Sequence, residues 1–506
     1  MSAPEENDDS PEAQARRREI RRVYYGLMIT LALSALDQSI VATALPRIVG
    51  DLGGVTHLSW VVTAYVLTTT ATMPLYGKLS DQYGRKPMVY AAILIFLAGS
   101  ALCGLAQSMT QLIVFRAIQG LGAGGLLPLA QIIIGDLVPP RQRGKRQGLI
   151  GMVFAVSSVA GPIVGGIITD ALSWHWIFYI NLPVGLIAIV MIGTALRRRH
   201  QETRRQIDYA GAILLAAATT ALLLVLSLGG STLPWLSPQI IGFGIAAAAL
   251  TVLFVRREHA APEPILPMTL FGNRLFVVAC VVLALTFMGL MGASVFFPLF
   301  FQVVLGVDAA SSGLLISALM CGIVISSFTN GRIMHRTGRY KPAQVIGLGA
   351  ASLAFVGLSW GALTGKGLWV IEPALLAVGM GLGLVMPNMT TAVQNAVPLR
   401  DMGAATATLA FFRSLGGVIG VAASGAVLSG KLHGQLGSLG GHGDMALAAS
   451  IDQIRALDAA ERLAVVAAYR DAISTTFMMG IGIIALAFLL VFLLPELPLR
   501  ATRAAE

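Results

Sequence analysis

The sequence predicts an all-α membrane protein of fourteen spans, built as two six-helix pseudo-symmetric bundles with two extra central transmembrane helices. Three observations carry this. The 506 residues are 56% hydrophobic and 12% charged, about half the charged share of a typical soluble domain. The mean hydropathy is +0.77, and charges cluster between apolar runs of roughly 20 residues, the length that crosses a hydrocarbon core as a helix. The runs are continuous rather than alternating, which excludes barrel strands.

The spans read 23–45, 57–76, 88–107, 111–131, 148–170, 176–196, 208–228, 239–255, 275–298, 309–331, 343–364, 369–390, 405–429 and 472–494. Span one follows a tail, 1–22, that is acidic and then basic, ending in Arg16-Arg17-Arg18 and Arg21-Arg22. A basic stretch before an apolar run can mark a cleaved leader. This run is too long for one and carries Asp37 in its middle, so it reads as a retained helix. With the N-terminus cytoplasmic, 27 of the 35 Lys and Arg fall inside, five outside and three within or at the ends of spans, as the positive-inside rule requires. An even span number puts both termini in the cytoplasm of a cell (inner) membrane protein. The net charge of +10 then anchors the chain to the lipid bilayer, and no nucleic acid is expected. Cys103, Cys280 and Cys321 fall inside spans without paired spacing or a His cluster, so neither a disulfide framework nor a metal site is expected. No Gly-rich phosphate loop or hydrolase motif is seen, so no cofactor, ATP or catalytic residue is expected.

The chain repeats itself. Gly77-Lys78-Leu79-Ser80-Asp81-Gln82-Tyr83-Gly84-Arg85-Lys86 follows span two, and Gly331-Arg332-Ile333-Met334-His335-Arg336-Thr337-Gly338-Arg339-Tyr340 follows span ten, at an offset of 254. Gly161 and Gly165 of span five return as Gly416 and Gly420 of span thirteen, at an offset of 255. The expected organisation is therefore a tail, 1–22; an N-terminal bundle, 23–196; two linker helices with their cytoplasmic loops, 197–274; a C-terminal bundle, 275–494; and a tail, 495–506. The external loop 430–471 opens with Gly434, Gly437, Gly440, Gly441 and Gly443, then reads as a polar helix from Met445 to Arg470. Parallel repeats are a transporter architecture, with the substrate site between the halves near the midplane.

Several residues carry candidate chemistry. In the loop after span two, Gly77 and Gly84 permit a tight turn. There Asp81, Arg85 and Lys86 can latch helices through charge pairs and helix-end dipoles that rocking would break and remake. Arg116 and Gln119 share a face of span four, and an intramembrane arginine is costly unless it faces a bundle interior or a wet cavity. Asp37 is the one carboxylate deep within a span. Counting ~1.5 Å per residue, Asp37 lies about 21 Å and Arg116 about 22 Å from the inner side, so the two match in depth. Burial disfavours a charged carboxylate and a nearby guanidinium favours it. A pair that opens and closes would move a proton; a static ion pair is the alternative.

In span five, Ser158, Gly161 and Gly165 share a face suited to close helix approach, Pro162 can kink the helix, and Gly166 completes the motif. Span nine is crowded with Phe287, Met288, Met291, Phe296 and Phe297; in span thirteen Thr406, Arg413, Gly417, Gly420 and Ser424 form one stripe. The cavity candidates are Ser34, Gln38, Gln119, Ser158, Phe287, Met291, Asn388 and Arg413.

These motifs resemble those of the major facilitator superfamily, and most of all its fourteen-span drug:proton antiporter family (the EmrB/QacA type). Gly77–Pro87 resembles the superfamily loop between spans two and three. Leu36–Pro46, Arg116–Gly125 and Trp174–Pro183 resemble the family's motifs of span one, span four and the approach to span six. Gly161-Pro162 with Gly165-Gly166 resembles its antiporter motif. The resemblance covers about 23–430 and the last span. It implies a monomer exchanging protons for a small-molecule substrate, often bulky, lipophilic or cationic, and leaves open a periplasmic adaptor and outer-membrane channel. His175 stands where the family often has arginine. No acid lies between Ala404 and Gly430, so divalent-cation export is not expected. The alternatives are a dedicated exporter of one endogenous metabolite or lipid and, more remotely, a membrane receptor or intramembrane enzyme.

Overall fold

The computed structural model describes residues 11–53, 58–195, 208–230, 233–365, 367–436, 454 and 457–499. Among them the long helices are α1 Pro11–Leu52, α2 Leu58–Tyr83, α3 Arg85–Gly104, α4 Met109–Leu137, α5 Pro140–Ala171, α6 Asn181–Ala195, α7 Tyr209–Leu228, α8 Pro238–Ala260, α9 Arg274–Ser294, α10 Ala309–Thr337, α11 Lys341–Thr364, α12 Leu368–Ala396, α13 Met402–Leu436 and α14 Ala459–Val491. Thirteen spans are long and apolar enough to cross a membrane. The helix outside that group, α2, has 26 residues but carries Thr63, Thr68, Thr69, Thr70 and Thr72 with Lys78 and Asp81, which lower its hydropathy.

Three boundaries differ from the sequence reading. α1 starts at Pro11, so half of the expected tail extends the first helix. Span nine ends its regular turns at Ser294, and the chain continues as Phe297–Leu299 and a π-helical turn, Phe300–Val304. The polar helix expected to end at Arg470 is not a separate element over its described part. Residues 459–470 are the first turns of α14, capped by the Asp458 side chain on the Ala460 amide, and most of 445–458 lies outside the described residues. Amphipathic turns at a helix end read as a loop by hydropathy because they lie beyond the apolar slab.

The packing repeats with an offset of eight helices. In the first half α4 packs on α1, α2 and α3, while α1 also meets α5 and α6; in the second, α12 packs on α9, α10 and α11, while α9 also meets α13 and α14. The halves touch through α2 with α13 and through α5 with α10, a pseudo-twofold exchange, with smaller contacts of α4 and α5 on α12 and of α4 on α13. α7 and α8 pair with one another, and α7 leans on α2 and, less, on α13. Asp208 caps α7 at the Gly211 amide (3.0 Å) and accepts from Arg257 Nε (2.9 Å), while Lys78 Nζ donates to Glu263 Oε2 (3.1 Å) and ties the chain beyond α8 to α2.

The contacts between halves run from the Thr70–Ser414 hydroxyl pair (2.8 Å) towards one end. It carries the α2–α3, α4–α5, α10–α11 and α12–α13 turns. The chain leaving α14 reaches the same end, where Tyr340 Oη donates to the Pro495 carbonyl (2.7 Å) and accepts from the Leu497 amide (2.8 Å). At this tail face Gly148 meets the Ser327 backbone, Gln394 Nε2 donates to the Gln131 carbonyl (3.1 Å) and to Thr406 Oγ1 (3.3 Å), and Met73 packs with Ala410 and Phe411.

Candidate functional site

Inside the first bundle four helices bring polar groups to one buried point. α1 supplies Asp37, α4 supplies Arg116 and Gln119, α3 supplies Ser100, and the start of α6 supplies Asn181, all within 1% of full burial. Arg116 Nη1 donates to Asp37 Oδ2 (2.6 Å) and Gln119 Oε1 (2.6 Å). Asp37 Oδ1 accepts from Gln119 Nε2 (2.8 Å) and Asn181 Nδ2 (2.9 Å). Ser100 Oγ accepts from Asn181 (2.8 Å) and Gln119 (3.2 Å) and donates to the Phe178 carbonyl (2.9 Å). Arg116 Nε reaches the Val61 carbonyl (3.3 Å), and its guanidinium lies 4.1 Å from the Tyr65 ring centroid.

Each partner matters because a buried charge needs both a counter-charge and hydrogen bonds. Removing one member of such a pair costs about 3–5 kcal/mol. Depth matching had put Asp37 and Arg116 at one level, and the structure brings them together. Sequence spacing does not single out Ser100, Tyr65 and Asn181: Asn181 stands in the approach to span six, and Ser100 is a lone polar residue in an apolar stretch. An intramembrane carboxylate that needs more donors than one arginine supplies is the signal that could have found them.

The second constellation joins the bundles. Asp81, on the last turn of α2, accepts from the Gly403 amide (3.2 Å) and the Ala404 amide (2.9 Å) at the N-terminus of α13, where backbone N–H groups and the helix dipole favour an anion. Arg85 Nη1 donates to Asp81 Oδ1 (2.5 Å), the oxygen that also accepts from Gly403, and bonds Ser80 Oγ (2.6 Å), while its Nε bonds Asp136 (2.8 Å). Lys86 Nζ caps the Gly193 carbonyl (2.7 Å). Gly84 turns the chain between α2 and α3 with φ 92°, where a side chain is strained. A Cβ on Gly77 would run into Ala407 and the Gly403 carbonyl, so the helices meet backbone to backbone there. The second copy of the loop does different work. His335 stands where the repeat would put Asp81 and is exposed, and its neighbours Tyr340 and Lys341 hold the C-terminal segment instead.

The glycine motif of α5 packs against α1. A Cβ on Gly161 would collide with Ser39 Oγ, and one on Gly165 would press on Ile40 at 3.2 Å; Ser39 Oγ donates to the Ser157 carbonyl (3.0 Å). The repeat reuses the device: Gly416 and Gly420 meet the Ala284 and Met288 carbonyls of α9. Gly166 has open space, and Pro162 is exposed.

The cavity candidates separate. Gln38 and Ser158 are exposed, and Ser158 Oγ donates to its own helix at Phe154. Ser34 pairs with Tyr65 Oη (3.5 Å). Gln119 belongs to the buried ion-pair network. Asn388 is fully buried and exchanges hydrogen bonds with Asn330 (2.9 and 3.3 Å), clasping α12 to α10. Phe287, Met291 and Arg413 are partly exposed; Arg413 lies 5.1 Å from the Phe287 ring centroid, and Met291 packs at Gly417, one turn further along α13.

Residues 27–421 match the family model described as Major Facilitator Superfamily. The chain is 41% identical over 406 residues to Multidrug transporter protein MdtP of Bacillus subtilis (80% of this chain, 75% of that one). It is 40% identical to Multidrug resistance protein 3 of the same organism (82% and 80%), and 33% identical to Efflux pump FUS6 of Gibberella moniliformis (85% and 78%). Among solved structures, the human organic anion transporter MFSD10 aligns with a TM-score of 0.64 at 17% identity (93% of this chain, 99% of that one). The proton:xylose symporter XylE aligns with a TM-score of 0.64 at 14% identity (95% and 97%). At such identities both likenesses concern the fold alone.

Proposed function

The chain belongs to the Major Facilitator Superfamily, and we propose that within it the chain is a proton-coupled exporter of the fourteen-span drug:proton antiporter type. It is a multi-pass efflux transporter by its relatives and its fold. The reading adds proton coupling, fourteen spans with α7 and α8 as the extra central pair, and both termini in the cytoplasm of a cell (inner) membrane. The observation that carries the coupling is the buried Asp37–Arg116 pair at 2.6 Å. It spans α1 and α4, two helices of one bundle that can shift against each other as the bundles rock.

The mechanism follows from the two constellations. With the tail face closed by Asp81 on α13, the way between the bundles leads to the opposite side. Rocking breaks the Asp81 contact and opens the tail face to the cytoplasm, where substrate enters. When Arg116 withdraws from Asp37, an uncompensated buried carboxylate remains, and a proton is the cheapest compensation. Return of Arg116 expels that proton. Export against a gradient results if the proton is taken up from outside and released within.

Proton-driven efflux of fluorescent drugs, measured in inside-out vesicles, tests the reading. Accumulation that collapses with the proton gradient is expected. Accumulation indifferent to the gradient overturns the coupling.

A further inference from the structure

Arg413 is a charge the described chain does not balance. It lies eleven residues into α13, about 16 Å from that helix's tail-face end at 1.5 Å per residue, and so near the middle of a ~30 Å core. Among the described residues it has no hydrogen bond and no ion pair; its one special contact is the Phe287 ring at 5.1 Å. Such a contact is worth about 0.5–2 kcal/mol, and does not remove the requirement that an intramembrane charge face a bundle interior or a wet cavity.

The geometry says which way the residue faces. Thr406 lies seven residues earlier, two turns nearer the tail face and on the same side of the helix. Thr406 sits at the closed junction where Gln394 joins it to Gln131 of the opposite bundle. About 10 Å further along the helix, where Ser414 still bonds Thr70 of the opposite bundle (2.8 Å), Arg413 occupies the same interbundle side and is partly exposed. The repeat agrees. Gly161 and Gly165 correspond to Gly416 and Gly420, which pairs Arg413 with Ser158, an exposed residue two turns beyond Gly151; Gly151 itself faces Ile323 of the opposite bundle. Arg413 and Ser158 therefore look into the space between the halves from opposite sides.

Among the described residues no carboxylate is placed against the arginine. Asp37 is saturated by three donors, and no acid lies on α13 between Ala404 and Gly430. Beside the guanidinium stands Phe287, and one turn further along both helices Met291 comes within 3.1 Å of a Cβ on Gly417. An unpaired, poorly hydrated, bidentate donor next to an aromatic face and a polarizable thioether suits one chemical class.

We infer that Arg413, with Phe287 and Met291, forms the charge-selecting subsite of the translocation path, and that it binds an organic anion with an aromatic or lipophilic body. This deepens the export reading and rests on it for the claim that the bound anion is cargo.

The test uses full-length protein in lipid nanodiscs and two probes of like shape and opposite charge, 1-naphthalenesulfonate and 1-naphthyltrimethylammonium. Calorimetry should show the sulfonate binding at least tenfold more tightly. R413Q should lose at least tenfold on the sulfonate and nothing on the ammonium, while R413K keeps the sulfonate preference. Tighter binding of the ammonium by the wild type, or sulfonate binding unchanged in R413Q, would overturn the assignment. Because R413Q removes an unpaired charge, its melting temperature should equal or exceed that of the wild type; a clear fall would show that Arg413 serves the fold and not the ligand. Proteoliposomes separate the two claims. If sulfonate binding depends on Arg413 but an imposed proton gradient moves neither probe, the subsite stands and the export reading falls. If both probes are pumped and R413Q changes neither, export stands and the subsite falls.

Discussion

Replacing Asp81 by alanine should unlock the tail face. Its carboxylate accepts from the Gly403 and Ala404 amides at 3.2 and 2.9 Å, bonds made across the bundle interface and broken when the bundles part. Hydrogen bonds to charged groups are worth about 1.5–3 kcal/mol each, and water solvates the freed amides in the open state. A net loss of roughly 2–3 kcal/mol from the closed state follows. Arg85 is not orphaned, because Asp136 still holds its Nε at 2.8 Å, so little of the cost falls on the open state. At 1.4 kcal/mol per tenfold, a 99:1 closed population would drop to roughly 3:1 at the low end and past even at the high end. Spin labels at Tyr83 and Leu399, 44% and 48% exposed on the two sides of this face, report the opening. In a background lacking the three cysteines, double electron–electron resonance should add a longer-distance population in Asp81→Ala and slow transport while insertion holds. A distance distribution identical to that of the parent, with full transport, would reduce the loop to a topogenic turn.

Two further outcomes follow. Gly161→Leu drives a side chain into Ser39 and the α1 backbone; overpacking of this kind costs about 1–3 kcal/mol, so efflux should fall with expression intact, and normal efflux would mean α1 and α5 have room to part. A reporter fused after Arg199 should read cytoplasmic and one at Gly441 external, since the fourteen-span reading puts 27 of 35 basic residues on one side; an external signal at Arg199 would break the span count.

Hydropathy made the helices legible because a lipid-spanning segment must be long and apolar whatever its neighbours are. It found α2 as a span although its threonines keep it out of the strongly apolar group, and it separated the polar turns 459–470 from the helix they begin, since it measures the slab and not the helix. Depth counting paired Asp37 with Arg116 because both distances run along one axis. It could not supply the azimuth at which α3 and α6 present Ser100 and Asn181. Local spacing identified Asp81 and Arg85 as a charged turn, but the partners of Asp81 lie 322 and 323 residues away at the start of α13. Ser158 was put on the close-packing face by its spacing from Gly161; the contact centres instead on Gly161 and the Ser157 carbonyl, leaving Ser158 at the exposed edge. Asn388 looked like a cavity residue because nothing in its own helix says that Asn330 of α10 faces it.

The most direct test of the account is the proton itself. Asp37→Asn keeps the size of the side chain and an acceptor for Arg116 but removes the titratable group. Substrate-induced proton release in detergent should be followed together with gradient-driven efflux in proteoliposomes, using protein checked for insertion and monodispersity. The account predicts that Asp37→Asn abolishes both proton release and uphill efflux, while substrate binding persists. Proton release and pumping against a gradient that survive in Asp37→Asn would place the proton site elsewhere and leave the Asp37–Arg116 pair as a structural tie between α1 and α4.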